Sequence, residues 1–91
     1  MKTNKNGENE IAISYLNLAN VREAQLGAEK AEPYIKEYIE KAKKLLDTPT
    51  LPQNGYHAFV CEKCAPTFNY YGYFLYANEL SERAKRIYEG N

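Results

Sequence analysis

The residues with the most evident chemical potential are one histidine and two cysteines that lie close together in the chain. His57, Cys61 and Cys64 form the pattern His-x3-Cys-x2-Cys. On a helix this spacing points the three side chains in roughly the same direction. Imidazole and thiolate both bind zinc, but a zinc site needs four ligands, or three ligands and a water. The chain has no further histidine or cysteine to complete a four-ligand set of these two types.

The same segment could in principle serve as a catalytic or redox site, but it lacks the features that such sites usually have. A redox Cys-x-x-Cys usually follows a strand at the start of a helix, and no strand pattern precedes Cys61. His57 lacks an evident carboxylate that would orient it as a base. Small helical nucleases of the HEPN type carry Arg-x4–6-His, and no arginine precedes His57 at that spacing.

We therefore predict that the protein is not an enzyme and has no cofactor. Both thiols are expected to pack in a core, where free cysteine behaves as a small hydrophobe. The alternative is a thiol-dependent or metal-dependent regulatory protein that uses His57, Cys61 and Cys64.

Length and composition limit the class of protein. The 91 residues allow one small domain with a modest core, and 44% hydrophobic with 26% charged residues is typical of a globular chain. Twelve basic and twelve acidic residues give no net charge, and hence no general attraction to nucleic acid or membrane. No apolar run reaches the roughly 20 residues that cross a bilayer. With no apolar leader in the polar N-terminus, we expect a cytoplasmic protein with reduced thiols.

Apolar residues at helical spacing predict four helices joined by a turn, a linker and a second turn. The predicted segments are a flexible polar tail at 1–9, a helical hairpin at 10–47, a linker at 48–55 and a second hairpin at 56–91. Gly27 and Gly72 mark the turns within the hairpins. We expect Pro33 in or near the first turn of the second helix. Pro66 is expected to conflict locally with the third helix and could kink it.

The two hairpins are related by an internal repeat of 46 residues. This shift places Ala12 on Ala58, Tyr15 on Cys61, Leu18 on Cys64, Ala19 on Ala65 and Ala31 on Ala77. Small residues at matching positions would let the two helices of each hairpin approach closely where they cross.

This pattern resembles the tetratricopeptide repeat family, in the longer-helix variant seen in kinesin light chains and many bacterial regulators. The matching residues of the first hairpin are Tyr15, Leu18, Ala19, Gly27, Ala31 and Ile35, and those of the second are Cys61, Cys64, Ala65, Phe68, Gly72, Ala77 and Ala84. The repeat is longer than the usual 34 or so residues, and cysteines replace the aromatic and the leucine in the second copy. The resemblance implies an all-α fold of two antiparallel helical hairpins that form a short right-handed superhelix.

The resemblance also implies a protein-interaction module that binds a peptide or protein partner. In this family the first helix of each hairpin lines a groove. The residues that fall there are Ile13, Leu16, Asn20 and Glu23 in the first hairpin, and Phe59, Glu62, Pro66 and Asn69 in the second. Tyr70, in a dense tyrosine cluster, is a further candidate for partner contact. The asparagines could donate to and accept from a peptide backbone, and the glutamates favour a basic or polar ligand.

Two hairpins are fewer than the three repeats that usually make a stable array. We therefore expect either self-association, as in a homodimer, or membership of a longer repeat array. A purely structural fragment of such an array is a further interpretation.

Overall fold

The computed structural model describes residues 7–90, and over this range the chain forms helices and no strands. The helices are α1 at Gly7–Leu26, α2 at Ala28–Leu46, α3 at Gly55–Tyr70 and α4 at Phe74–Gly90. α1 packs against α2, and α3 packs against α4. The predicted all-α class and the two helical hairpins are thus confirmed. No helix within the described range has the length and apolar composition needed to cross a membrane.

The helix boundaries differ from prediction mainly at the N-terminus. α1 begins at Gly7, so Gly7, Glu8 and Asn9 are helical instead of part of the predicted tail, and Asn9 is buried. The rest of that tail, residues 1–6, lies outside the described residues. The chain divides into two compact units between Leu51 and Pro52, within the predicted linker.

The prolines lie deeper inside their helices than first-turn positions allow. Pro33 is the sixth residue of α2, because α2 begins directly after Gly27, so it lies near the first turn but not within it. Pro66 lies inside α3, which continues to Tyr70. Each proline removes one intrahelical N–H donor, and both side chains face the solvent, where water can replace the lost hydrogen bond.

Small residues bring the helices of the first hairpin together. Ala19 and Ala31 have no exposed surface, and Ala12 and Ala42 are equally buried, which confirms the predicted small-residue positions. The buried large residues of this hairpin are Leu16, Ile35, Ile39 and Leu46. On the outer face of α2, Glu37 and Lys41 form an i, i+4 ion pair at 3.5 Å.

The second hairpin has a larger and more varied core. The buried residues of α3 are His57, Ala58, Val60, Cys61, Cys64, Ala65 and Phe68, and those of α4 are Tyr76, Ala77, Leu80, Ala84 and Ile87. The rings of Phe68 and Tyr76 meet edge to face with centroids 4.8 Å apart. Cys61 and Cys64 are buried and form no disulfide, so their predicted packing role is confirmed.

Candidate functional site

An open depression with a volume of about 710 Å³ lies between α3 and α4. Its lining residues are Glu62, Ala65, Pro66 and Asn69 from α3, and Phe74, Ala77, Asn78 and Ser81 from α4. We call this surface the α3–α4 depression. Ala65 and Ala77 are only 7% and 6% exposed, so they form its floor. Because the floor residues have no side chain beyond Cβ, a ligand backbone can approach the helices closely.

The polar groups of the α3–α4 depression are available to a ligand. Asn69, Asn78 and Ser81 are exposed, and their side chains make no hydrogen bond to any residue in the range 7–90. An amide can donate and accept at once, and a hydroxyl can do the same. Phe74 is 65% exposed and adds an apolar surface to the rim.

A fixed carboxylate provides the only charge in the lining. The Tyr88 hydroxyl donates a hydrogen bond of 3.2 Å to Glu62 Oε1. Partial burial raises the pKa of Tyr88, and the hydrogen bond to Glu62 raises it further, so the phenol remains a donor at neutral pH. Glu62 forms no ion pair with any described residue.

The predicted binding residues of α3 are exposed, and some of them meet in the depression. Glu62, Pro66 and Asn69 line it. Phe59 is 53% and Tyr70 67% exposed, but neither lines it. The sequence reasoning missed the α4 contribution. The spacing of Phe74, Ala77, Asn78 and Ser81, at i, i+3, i+4 and i+7, was the signal that could have indicated one helical face.

The predicted residues of the first hairpin are placed differently. Asn20 is exposed, whereas Ile13 and Glu23 are half-buried. Leu16 is only 4% exposed, so its side chain belongs to the core and its assignment to a binding surface is wrong. Leu18, expected to pack, is 42% exposed instead.

The histidine–cysteine cluster forms a buried polar contact that reaches α4. His57 is fully buried, and its Nε2 lies 3.4 Å from Cys61 Sγ and 3.3 Å from Arg83 Nη1. A guanidinium can only donate hydrogen bonds, so Nε2 must accept. We therefore assign the proton of a neutral imidazole to Nδ1. Arg83 also donates from Nε and Nη2 to Glu79 Oε2, at 3.2 and 3.1 Å.

This arrangement does not support the alternative metal site. Arg83 engages the nitrogen lone pair that a metal would need at Nε2. Across residues 7–90 no group of three or more histidine, cysteine, aspartate or glutamate side chains is arranged to hold a metal ion.

The thiols are also poorly suited to redox chemistry. Burial, with a smaller contribution from neighbouring Cys61, raises the pKa of Cys64 to about 12. Cys64 is therefore a protonated thiol at neutral pH, and the thiolate is the reactive form. Cys61 has no exposed surface through which a reagent or partner thiol could reach it.

Comparisons of this chain with known protein families, curated proteins and solved structures find no match. The similarity to tetratricopeptide repeats therefore depends on the residue pattern described above. The α3–α4 depression of the second hairpin is the surface whose geometry bears on function.

Proposed function

We propose that this protein is a non-enzymatic interaction module that binds an extended peptide segment of a partner protein in the α3–α4 depression. The observation that carries the proposal is the pair of unengaged amides, Asn69 on α3 and Asn78 on α4, over a floor of two alanines. The backbone N–H and C=O groups of an extended peptide form no hydrogen bonds within the peptide itself. Each asparagine amide can satisfy one of each kind.

The remaining lining suits the side chains of such a segment. Phe74 offers an exposed ring for an apolar side chain, and Ser81 adds a hydroxyl. The depression is open and involves few residues, so the interface is smaller than the roughly 800 Å² per partner of a standard complex. We accordingly expect a transient interaction, of the kind that a tetratricopeptide-like hairpin would make with a short motif.

The proposal can be tested with a random peptide library displayed on phage. The purified chain should select peptides, and their affinity is then measured by calorimetry for the native protein and for the Asn69→Ala/Asn78→Ala variant. Loss of two neutral hydrogen bonds should weaken binding about 10-fold to 100-fold. Circular dichroism would show that the variant, altered only at exposed positions, keeps its helices.

A matched variant in the first hairpin serves as the control. Asn17→Ala/Asn20→Ala removes two exposed amides from α1, one of them at the predicted groove position Asn20. This variant should leave the affinity unchanged, because neither residue lines the α3–α4 depression. Equal losses in the two double variants, or a loss in the α1 variant alone, would place the binding surface elsewhere. Failure to select any peptide would contradict the proposed function itself.

A further inference from the structure

We propose that the bound segment carries an arginine or lysine whose cationic side chain pairs with Glu62. This inference depends on the proposed function and specifies the chemistry of the partner. It follows from the charges of the α3–α4 depression, from the way Glu62 is held, and from the contrast with the other carboxylate of this hairpin whose contacts are resolved.

The charge of the depression is one-sided. Glu62 is the only ionisable residue in the lining, and no lysine or arginine contributes to it. Lys63 on α3 and Lys85 on α4 are exposed and lie outside the lining. Neither forms an ion pair with Glu62. The lining therefore presents one uncompensated negative charge to a ligand.

Glu79 shows what a compensated carboxylate looks like in the same hairpin. Its Oε2 lies 3.1 Å from Arg83 Nη2 and 3.7 Å from Arg86 Nη2. Two guanidinium groups thus neutralise Glu79. Glu62 has only the neutral hydroxyl of Tyr88, so a cation from outside is the partner that it lacks.

Tyr88 prepares Glu62 for this role. The hydroxyl occupies one lone pair of Oε1 and restricts the carboxylate to fewer rotamers before a ligand arrives. Oε2 and the second lone pair of Oε1 are left for the ligand, because a carboxylate has about four acceptor sites. An ordered acceptor loses less conformational entropy on binding than a mobile one, and hydrogen bonds between ionised groups are about twice as strong as neutral ones.

The test compares arginine with citrulline, which has nearly the same shape and no charge. A library of random decapeptides, acetylated at the N-terminus and amidated at the C-terminus, is passed over the immobilised full chain, and the retained peptides are sequenced. We expect arginine or lysine to be enriched at one position. Replacing that residue by citrulline in a retained peptide should weaken binding to the native protein about twofold to fivefold.

Variants of the chain test whether the difference in affinity between the arginine and citrulline peptides is due to Glu62. Glu62→Gln should bind the arginine and citrulline peptides equally, and Tyr88→Phe should give an intermediate ratio. Glu82→Gln removes the same charge from an exposed residue of α4 outside the lining, and should retain the full ratio. A matching loss in Glu82→Gln would mean that the general charge of the hairpin, not Glu62, selects the peptide.

The outcomes separate this inference from the proposed function. Retained peptides that lose affinity in Asn69→Ala/Asn78→Ala but are indifferent to the citrulline replacement would overturn the inference and leave the proposed function standing. An absence of retained peptides would overturn both.

Discussion

The side chain that decides the chemistry of the His57 segment is Arg83. The sequence places Arg83 26 residues from His57, yet its Nη1 lies 3.3 Å from the imidazole Nε2. Because of this contact, a segment whose pattern suggests a zinc site forms a part-buried hydrogen bond between α3 and α4 instead. The side chain of Arg83 is only 13% exposed, so its guanidinium needs hydrogen-bond partners within the protein, and His57 and Glu79 are two of them.

Replacing Arg83 should destabilise the second hairpin more than removing its acidic partner. Arg83→Met keeps most of the aliphatic volume but removes a donor from the buried His57 acceptor, which should cost about 1–3 kcal/mol of unfolding free energy. Glu79→Gln removes two partly exposed ion pairs, with Arg83 and Arg86, and should cost up to about 1 kcal/mol. Urea unfolding followed by circular dichroism measures both. Equal costs would show that the ion pair, not the contact with His57, governs the stability.

The turn between α3 and α4 fixes the relative position of the residues that line the depression. Tyr73 N–H donates to Phe68 O at 2.8 Å, and Gly72 N–H donates to Asn69 O at 3.1 Å. These bonds match the Schellman arrangement that ends many helices. The rings of Phe68 and Tyr73 also meet edge to face at 6.2 Å. Gly72 has φ of 92°, a left-handed conformation that is costly for other residues.

Adding one methyl group at Gly72 should destabilise this turn. No atom lies within 4 Å of a Cβ built there, so Gly72→Ala reports the backbone conformation alone and should cost about 1–2 kcal/mol. Gly55→Ala is the matched control, because Gly55 begins α3 without positive φ and with open space around it. Thermal unfolding should show a lower midpoint for the Gly72 variant only. A similar decrease in both variants would argue against the conformational explanation.

The buried face of α1 is not evident from its apolar residues. Its buried face carries Ala12, Leu16 and Ala19, while Ile11, Leu18 and Val21 lie on an exposed face. Apolar residues thus occur on nearly opposite sides of one helix. Hydrophobic periodicity then gives no single direction, which is the physical reason that the sequence does not identify Leu16 as a core residue and Leu18 as an exposed one.

For the whole chain, equal numbers of acidic and basic residues leave little general repulsion near neutral pH. The exposed apolar residues of α1, together with Phe74 and Leu75 in the second hairpin, are compatible with the expected self-association or longer array, and that expectation stays a prediction. With long-range repulsion small, the pH dependence of folding stability should reflect individual buried groups.

Cys64 should make the folded chain lose stability at alkaline pH. Its pKa rises from 9.0 to about 12 on folding, so between these values the unfolded thiol ionises while the folded thiol keeps its proton. Unfolding then releases a proton, and stability falls as pH rises through this window, by up to about 1.4 kcal/mol per pH unit. Urea unfolding from pH 8 to about pH 10.5 should show this decline. Cys64→Ala should decline less steeply, and parallel curves for the two proteins would contradict the assignment.

The sequence alone determines the helices and turns, because the features that specify them lie close together in the chain. Helical periodicity, the prolines of the linker and the turn residues Gly27 and Gly72 each act within a few positions along the chain. The small residues Ala19, Ala31 and Ala65 also indicated where helices approach, because only small side chains permit close crossing. Glu62 and Asn69, which line the α3–α4 depression, were indicated by the resemblance to tetratricopeptide repeats and not by periodicity.

Only the tertiary structure decided which residues from different helices meet. The pairing of Glu62 with Tyr88 and of His57 with Arg83 joins α3 to α4 across 26 residues of sequence. Such contacts depend on the rotation of each helix about its axis, which packing sets and periodicity gives only coarsely. For α1 the periodicity does not indicate which face of the helix is buried, so only the packed hairpin shows that Leu16 lies in the core. The chain thus specifies its helices through local backbone preferences, and its candidate binding surface through the packing of those helices.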